Sequence, residues 1–204
     1  MRLEVPTPRG PAWADVSLPA GQPASLLVLG HGAGGGVTAP DLVAVRDAAV
    51  AAGVAVALVT QPYRVAGRRS PAPAGQLDEA WQAVLDHLAG EPAPARGVPR
   101  IVGGRSSGAR VACRTARAVG AAGILALAFP THPPGKPERS RVDELRTGLP
   151  TLVINGDRDP FGLPPPVPGV ELLIRPGERH DLRGDPPALA AQAVAWLRQH
   201  TWAH

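Results

Sequence analysis

The chain is short of several things, and each shortage narrows the reading. It has one cysteine, Cys113, so it can build neither a disulfide framework nor a Cys-rich zinc site. Aromatic residues are four Trp, two Phe and one Tyr, too few for a platform on which bases could stack. Lysine occurs once, at Lys136, so the basic charge is almost all arginine. No apolar run approaches the roughly 20 residues of a membrane helix. The stretch Met1–Trp13 lacks the apolar centre of a secretory signal, and a cytoplasmic location is expected.

Glycine and proline are plentiful, 24 and 25 of 204 residues, and compact apolar runs lie between them. A hydrophobic content of 44% suits a globular protein, and the length suits one domain spanning residues 1–204. The net charge of +4 is scattered over arginines of which only Arg68 and Arg69 adjoin, so no basic stripe marks a nucleic-acid partner.

Six apolar runs have strand length: 25–29, 54–60, 100–103, 123–129, 151–155 and 170–174. They are continuous rather than alternating, as in parallel strands buried on both faces. Helical patterns fill the intervals at 41–52, 77–88, 109–119 and 187–200, with a short one near 142–146. This alternation predicts an α/β fold with a mostly parallel central sheet of six to eight strands and helices on both faces. Residues 2–5 and 15–18 are expected to add antiparallel edge strands.

In such a sheet, function gathers beyond the C-terminal strand ends. After the run at 100–103 comes Gly104-Arg105-Ser106-Ser107-Gly108, a G-x-S-x-G turn between strand and helix. The flanking glycines let the turn be so sharp that Ser106 is lifted above the sheet as a nucleophile. The Ser107 N–H at the helix start can face a developing oxyanion. After the run at 25–29 comes Gly30-His31-Gly32-Ala33-Gly34-Gly35-Gly36. This loop can supply a second oxyanion donor at Ala33 N–H, with Gly34 a possible substrate neighbour and His31 a structural support. The same glycines fit a dinucleotide fingerprint, with Arg64, Arg68 and Arg69 able to hold a 2′-phosphate. However, no acid ends the next strand, and the helix begins only near Pro40.

After the run at 151–155 comes Gly156-Asp157-Arg158-Asp159-Pro160, and after 170–174 comes Gly177-Glu178-Arg179-His180. Asp159 is the expected orienting acid, with Asp157 as a turn holder; His180 is the expected base, with His132 its competitor. The chain order Ser106, Asp159, His180 is nucleophile, acid, base. Arg105 and Arg64 are candidates for an anionic substrate group, or Arg105 for an ion pair under the turn. Trp202 packs either on the domain or on a second subunit.

The pattern resembles the α/β-hydrolase superfamily, and within it the small, lidless dienelactone-hydrolase-like members. The residues that carry the resemblance are Gly103–Gly108, the loop Phe129-Pro130-Thr131-His132-Pro133-Pro134-Gly135-Lys136-Pro137, and Asn155–Phe161. They are similar to one subfamily whose domain recurs in a subunit of a eukaryotic histone-acetyltransferase complex. The resemblance implies a serine hydrolase, carboxylesterase-like, using Ser106, Asp159 and His180 without metal or organic cofactor on a small-molecule substrate, with no lid domain. Dienelactone hydrolases proper carry Cys at the turn, where this chain has Ser. Other readings consistent with the same residues are a non-catalytic interaction module and an acyltransferase or peptidase. Neither a membrane partner nor a particular oligomeric state is implied.

Overall fold

The computed structural model describes residues 1–90, 95 and 97–204. Eight strands form one sheet: β1 (Arg2–Val5), β2 (Ala12–Ser17), β3 (Ser25–Gly30), β4 (Val54–Thr60), β5 (Arg100–Arg105), β6 (Gly123–Leu127), β7 (Thr151–Gly156) and β8 (Val170–Arg175). Their order across the sheet is β1-β2-β4-β3-β5-β6-β7-β8. From β4 to β8 every pairing is parallel, and β1 and β2 join antiparallel at one end. The helices are α1 (Pro40–Ala51), α2 (Pro62–Val65), α3 (Ala74–Ala89), α4 (Ser107–Thr115) and α5 (Pro186–Gln199), with a 3-10 turn at Val142–Leu145. This is the α/β-hydrolase fold.

The continuous apolar runs are continuous because both sheet faces are covered. Successive residues of β3 divide between two cores. Leu27 and Leu29 pack with Leu42 and Val45 of α1 and with Leu189, Ala193 and Leu197 of α5. Leu26 and Val28 pack with Trp81 and Leu85 of α3 and with Val111 and Ala112 of α4. Each such buried leucine contributes roughly 1.5–3 kcal/mol. By contrast β2 alternates buried Ala12, Ala14 and Val16 with half-buried Trp13, Asp15 and Ser17. The edge strand β8 is only partly covered, and Ile174 is exposed.

Strand β2 runs Ala12–Ser17 rather than 15–18 and α3 begins at Ala74 rather than at 77, and three further differences have local reasons. Strand β6 ends at Leu127 because Ala128 takes φ 47° and turns the chain. Helix α4 ends at Thr115, and the apolar residues up to Val119 lie in turns closed by Gly120 at φ +62°. Helix α2 is a single turn, too short for any periodicity to reveal. At the C-terminus Trp202 packs on its own domain, where its ring adjoins Gly123 and its carbonyl accepts from Ser25 Oγ at 2.6 Å.

The chain leaves β3 toward β4 on one side and then returns to β5 on the other. The strand ends at this reversal are β3, followed by the glycine loop, and β5, followed by Ser106. Ligands of open α/β sheets bind at such a point.

Candidate active site

Ser106 stands between β5 and α4 with φ 53° and ψ −110°, a backbone conformation strained for a residue with a side chain. The strain is imposed by packing. A Cβ at Gly104 would lie 2.3 Å from Gly30 O, and one at Gly108 would lie 2.3 Å from the same oxygen. The glycines therefore allow the β5–α4 turn to seat directly against the end of β3. Ser106 N–H donates to Leu127 O at 2.9 Å, which ties the turn to β6 as well.

The loops after β7 and β8 bring the acid and the histidine to this serine. His180 Nε2 lies 2.9 Å from Ser106 Oγ, and His180 Nδ1 lies 2.8 Å from Asp159 Oδ2. Against a carboxylate the Nδ1 carries the proton, which leaves Nε2 as the acceptor for the serine hydroxyl. The second oxygen, Asp159 Oδ1, accepts from Phe161 N–H at 2.8 Å. The Asp159 side chain is fully buried, and that of His180 is one-fifth exposed.

Asp157 holds a turn, though not its own: its Oδ1 accepts from Gly177 N–H at 2.7 Å and clips the β7 loop to the histidine loop. Gly156 lets the loops touch, since a Cβ there would lie 2.2 Å from Glu178 O. Glu178, which the sequence did not single out, braces the histidine loop from below. Its carboxylate accepts from Gly184 N–H at 2.9 Å and Asp185 N–H at 3.2 Å.

On the other flank, His31 is buried in the glycine loop. Its Nε2 accepts from Gln61 N–H at 3.2 Å, so Nδ1 holds the proton and donates to Gly32 O at 2.8 Å. Burial lowers the His31 pKa below its ordinary value, more than the Gly32 contact raises it. Tyr63 Oη donates to Ala33 O at 2.8 Å, and burial pushes its hydroxyl up to about 12. Both contacts hold the loop that presents the Ala33 N–H. Among the described residues neither that N–H nor Ser107 N–H donates to another protein group. Tyr63 was not expected from the sequence; the chain's lone tyrosine just after β4 was the available signal.

The remaining candidates make other contacts. His132 Nδ1 lies 2.9 Å from Pro133 O within its own loop. Arg105 pairs with Asp41 of α1 at 3.1 Å, the ion-pair alternative weighed above. Arg64 is half-buried on α2 and donates to Arg68 O at 3.2 Å. Cys113 is buried, and burial raises its thiol to about 12, so it is no nucleophile near neutral pH.

Residues 23–176 match the model of the alpha/beta hydrolase domain, so the chain belongs to that family. A search of curated proteins finds no sequence match. Solved structures share the fold over almost the whole chain. A protein of Xanthomonas campestris, described as an α/β serine hydrolase without lid, has 20% identity and a TM-score of 0.80, covering 98% of this chain and 94% of that one. Est1E from Butyrivibrio proteoclasticus, solved with ferulic acid bound, has 15% identity and a TM-score of 0.78, with 97% and 98% covered. A dienelactone hydrolase from Anabaena variabilis has 19% identity and a TM-score of 0.74, with 98% and 96% covered. Among the described residues no helix is long and apolar enough to cross a membrane.

Proposed function

We propose that the protein is a serine-dependent, carboxylesterase-like hydrolase that cleaves an ester bond of a small substrate through an acyl-enzyme. One observation carries this: the strained Ser106, His180 and buried Asp159 stand in an unbroken line of contacts of 2.9 and 2.8 Å. Such a line serves one chemistry well. His180 Nε2 takes the Ser106 proton as Oγ attacks the ester carbonyl carbon, while Asp159 stabilises the imidazolium. The N–H groups of Ala33 and Ser107 face the oxyanion, aided by the start of α4. Collapse expels the alcohol, which takes its proton from His180. Water then attacks the acyl-enzyme with His180 as base, releasing the acid and free Ser106.

The chain's own loops speak for substrate size. Only residues 128–141 separate β6 from the 3-10 turn, where a lid would be inserted, and that loop holds Pro130, Pro133, Pro134 and Pro137. An open, rather rigid site fits small or exposed esters. Arg64, on the flank of the glycine loop, is proposed to meet an anionic substrate group. Within the family we place the chain among the lidless dienelactone-hydrolase-like members that share a domain with the histone-acetyltransferase-complex subunit, on its three linked motifs.

The test is labelling by a fluorophosphonate probe, with Ser106→Ala and His180→Ala alongside. Wild type alone is expected to label, and either substitution to lower ester turnover by about 10⁴–10⁶. Labelling of the Ser106→Ala protein at the wild-type rate would overturn the assignment.

A further inference from the structure

The residue between Gly104 and Ser106 is not a spacer. Arg105 ends β5, and its guanidinium lies against the histidine loop, the glycine loop and the start of α1. Its Nη2 donates to the main-chain carbonyl of His180 at 3.1 Å. Its Nη1 lies 3.6 Å from where a Cβ of Gly32 would be, against the glycine loop. Its Nε lies 3.1 Å from Asp41 Oδ2, and the Asp41 side chain is wholly buried at the start of α1. The contact is an ion pair without a hydrogen bond, since neither Asp41 carboxylate oxygen nor Arg105 Nε has a hydrogen-bond partner among the described residues; a carboxylate buried so completely needs a compensating charge, and Arg105 is the one it has there.

We propose that Arg105 is a positioning residue for His180, paired with Asp41, and that Asp41 also cancels the charge Arg105 would otherwise turn on the imidazolium. The idea rests on the Ser106–His180–Asp159 reading. Two physical arguments carry it. The first is geometric. The histidine loop is anchored through Asp159 on the ring side and through Arg105 on the backbone side. Arg105 shares a peptide bond with the nucleophile, so its hydrogen bond to the His180 carbonyl ties the histidine loop to the segment that carries Oγ. The second is electrostatic. The reaction creates a positive charge on His180, and an uncompensated guanidinium at its carbonyl would oppose that. Burial raises the Asp41 pKa above its ordinary value, and the Arg105 charge opposes that rise without outweighing it. The other charged groups around the histidine are Asp159 at its ring and Arg179 and Asp181 beside it in sequence; Asp181 also acts on Asp41 from the histidine loop.

The two halves separate in the pH profile of fluorophosphonate labelling. In Arg105→Met, Asp41 takes up a proton and the neutral pocket leaves the profile's midpoint in place. The plateau rate should fall about 10–100-fold, the usual cost of a misplaced catalytic group. Arg105→Lys should recover part of that loss, since an ammonium can pair with Asp41. Asp41→Asn keeps the arginine charge, and the midpoint should move down by about half a pH unit or more. If a single variant fails to melt cooperatively, Asp41→Asn with Arg105→Gln leaves no buried charge. It should show the low plateau and the wild-type midpoint. A plateau within threefold of wild type in Arg105→Met or in the double variant would overturn the positioning role. An Asp41→Asn midpoint that stays or rises would overturn the charge role. If wild type itself does not label while Ser106 is accessible, the underlying triad reading fails first, and this proposal with it.

Discussion

The ring of Phe161 lies 4.3 Å from that of His180, tilted by 54°, and the Phe161 main-chain N–H is bonded to the carboxylate that His180 also contacts. One residue thus touches the imidazole with its side chain and the acid with its backbone. The backbone bond survives any substitution that keeps the main-chain N–H, whereas the ring contact does not. Phe161→Ala is expected to lower the labelling rate by about 10-fold, because a ring free to turn leaves its productive rotamer. Phe161→Leu, which keeps apolar bulk, should lose less. Equal rates in all three proteins would show that the ring does not hold His180.

Two aspartates two residues apart provide a second test. Asp159 reaches the imidazole, and Asp157 reaches Gly177 N–H in the histidine loop. Asp159→Asn should cost on the order of 10³–10⁴ in turnover, because an amide cannot hold the imidazole in one tautomer and stabilise its charge. Asp157→Asn keeps an acceptor oxygen for Gly177 and should lose less than about threefold in rate. A reversed order of effects would move the acid to Asp157.

The sheet was legible because parallel strands buried on both faces write themselves as uninterrupted apolar runs. Ser106, Asp159 and His180 were legible because each follows such a run. What stayed hidden acts through space rather than along the chain. Asp41 looks like an ordinary acid in the first turn of a helix, and only the fold shows Arg105 beside it. Buried Asn155 is the same kind of case. Its Oδ1 accepts from Phe129 N–H at 2.8 Å and its Nδ2 donates to Phe129 O at 3.2 Å, pinning the β6 loop to β7. No spacing announces a partner 26 residues away. Phe161 belonged to a quoted motif, yet nothing in that motif told which ring it would meet.

Gly108, in the first turn of α4, and Gly34, in the glycine loop, should respond very differently to a methyl group. At Gly108 the added carbon meets Gly30 O at 2.3 Å and Gly30 C at 2.5 Å, both backbone atoms that cannot swing aside. At Gly34 it meets nothing within 4 Å, and the backbone there is not in the left-handed region. Gly108→Ala is expected to destabilise by roughly 3 kcal/mol or more, in the range of overpacked cores. Gly34→Ala should stay within about 1 kcal/mol of wild type. Thermal unfolding of the two proteins checks both.

His31 supplies a pH dependence whose sign follows from its two bonds. In the folded protein Nε2 accepts from Gln61 N–H, and protonation would set two N–H groups against each other. Its pKa is lowered from 6.5, chiefly by burial. Well above pH 6.5 neither the folded nor the unfolded state protonates it, and the contribution to stability is fully present. As the pH falls below that value the unfolded chain binds a proton that the folded chain resists, and stability declines until the lower native pKa is passed. The folded His31 stays neutral over that interval, so the glycine loop keeps its support until the lower native pKa is reached. His31→Asn removes the titrating group while keeping a donor and an acceptor. Its unfolding free energy, measured in urea from pH 7.5 to 5, should therefore fall less steeply than that of wild type. Parallel slopes would mean that His31 keeps an ordinary pKa and that the loop is held by Tyr63 alone.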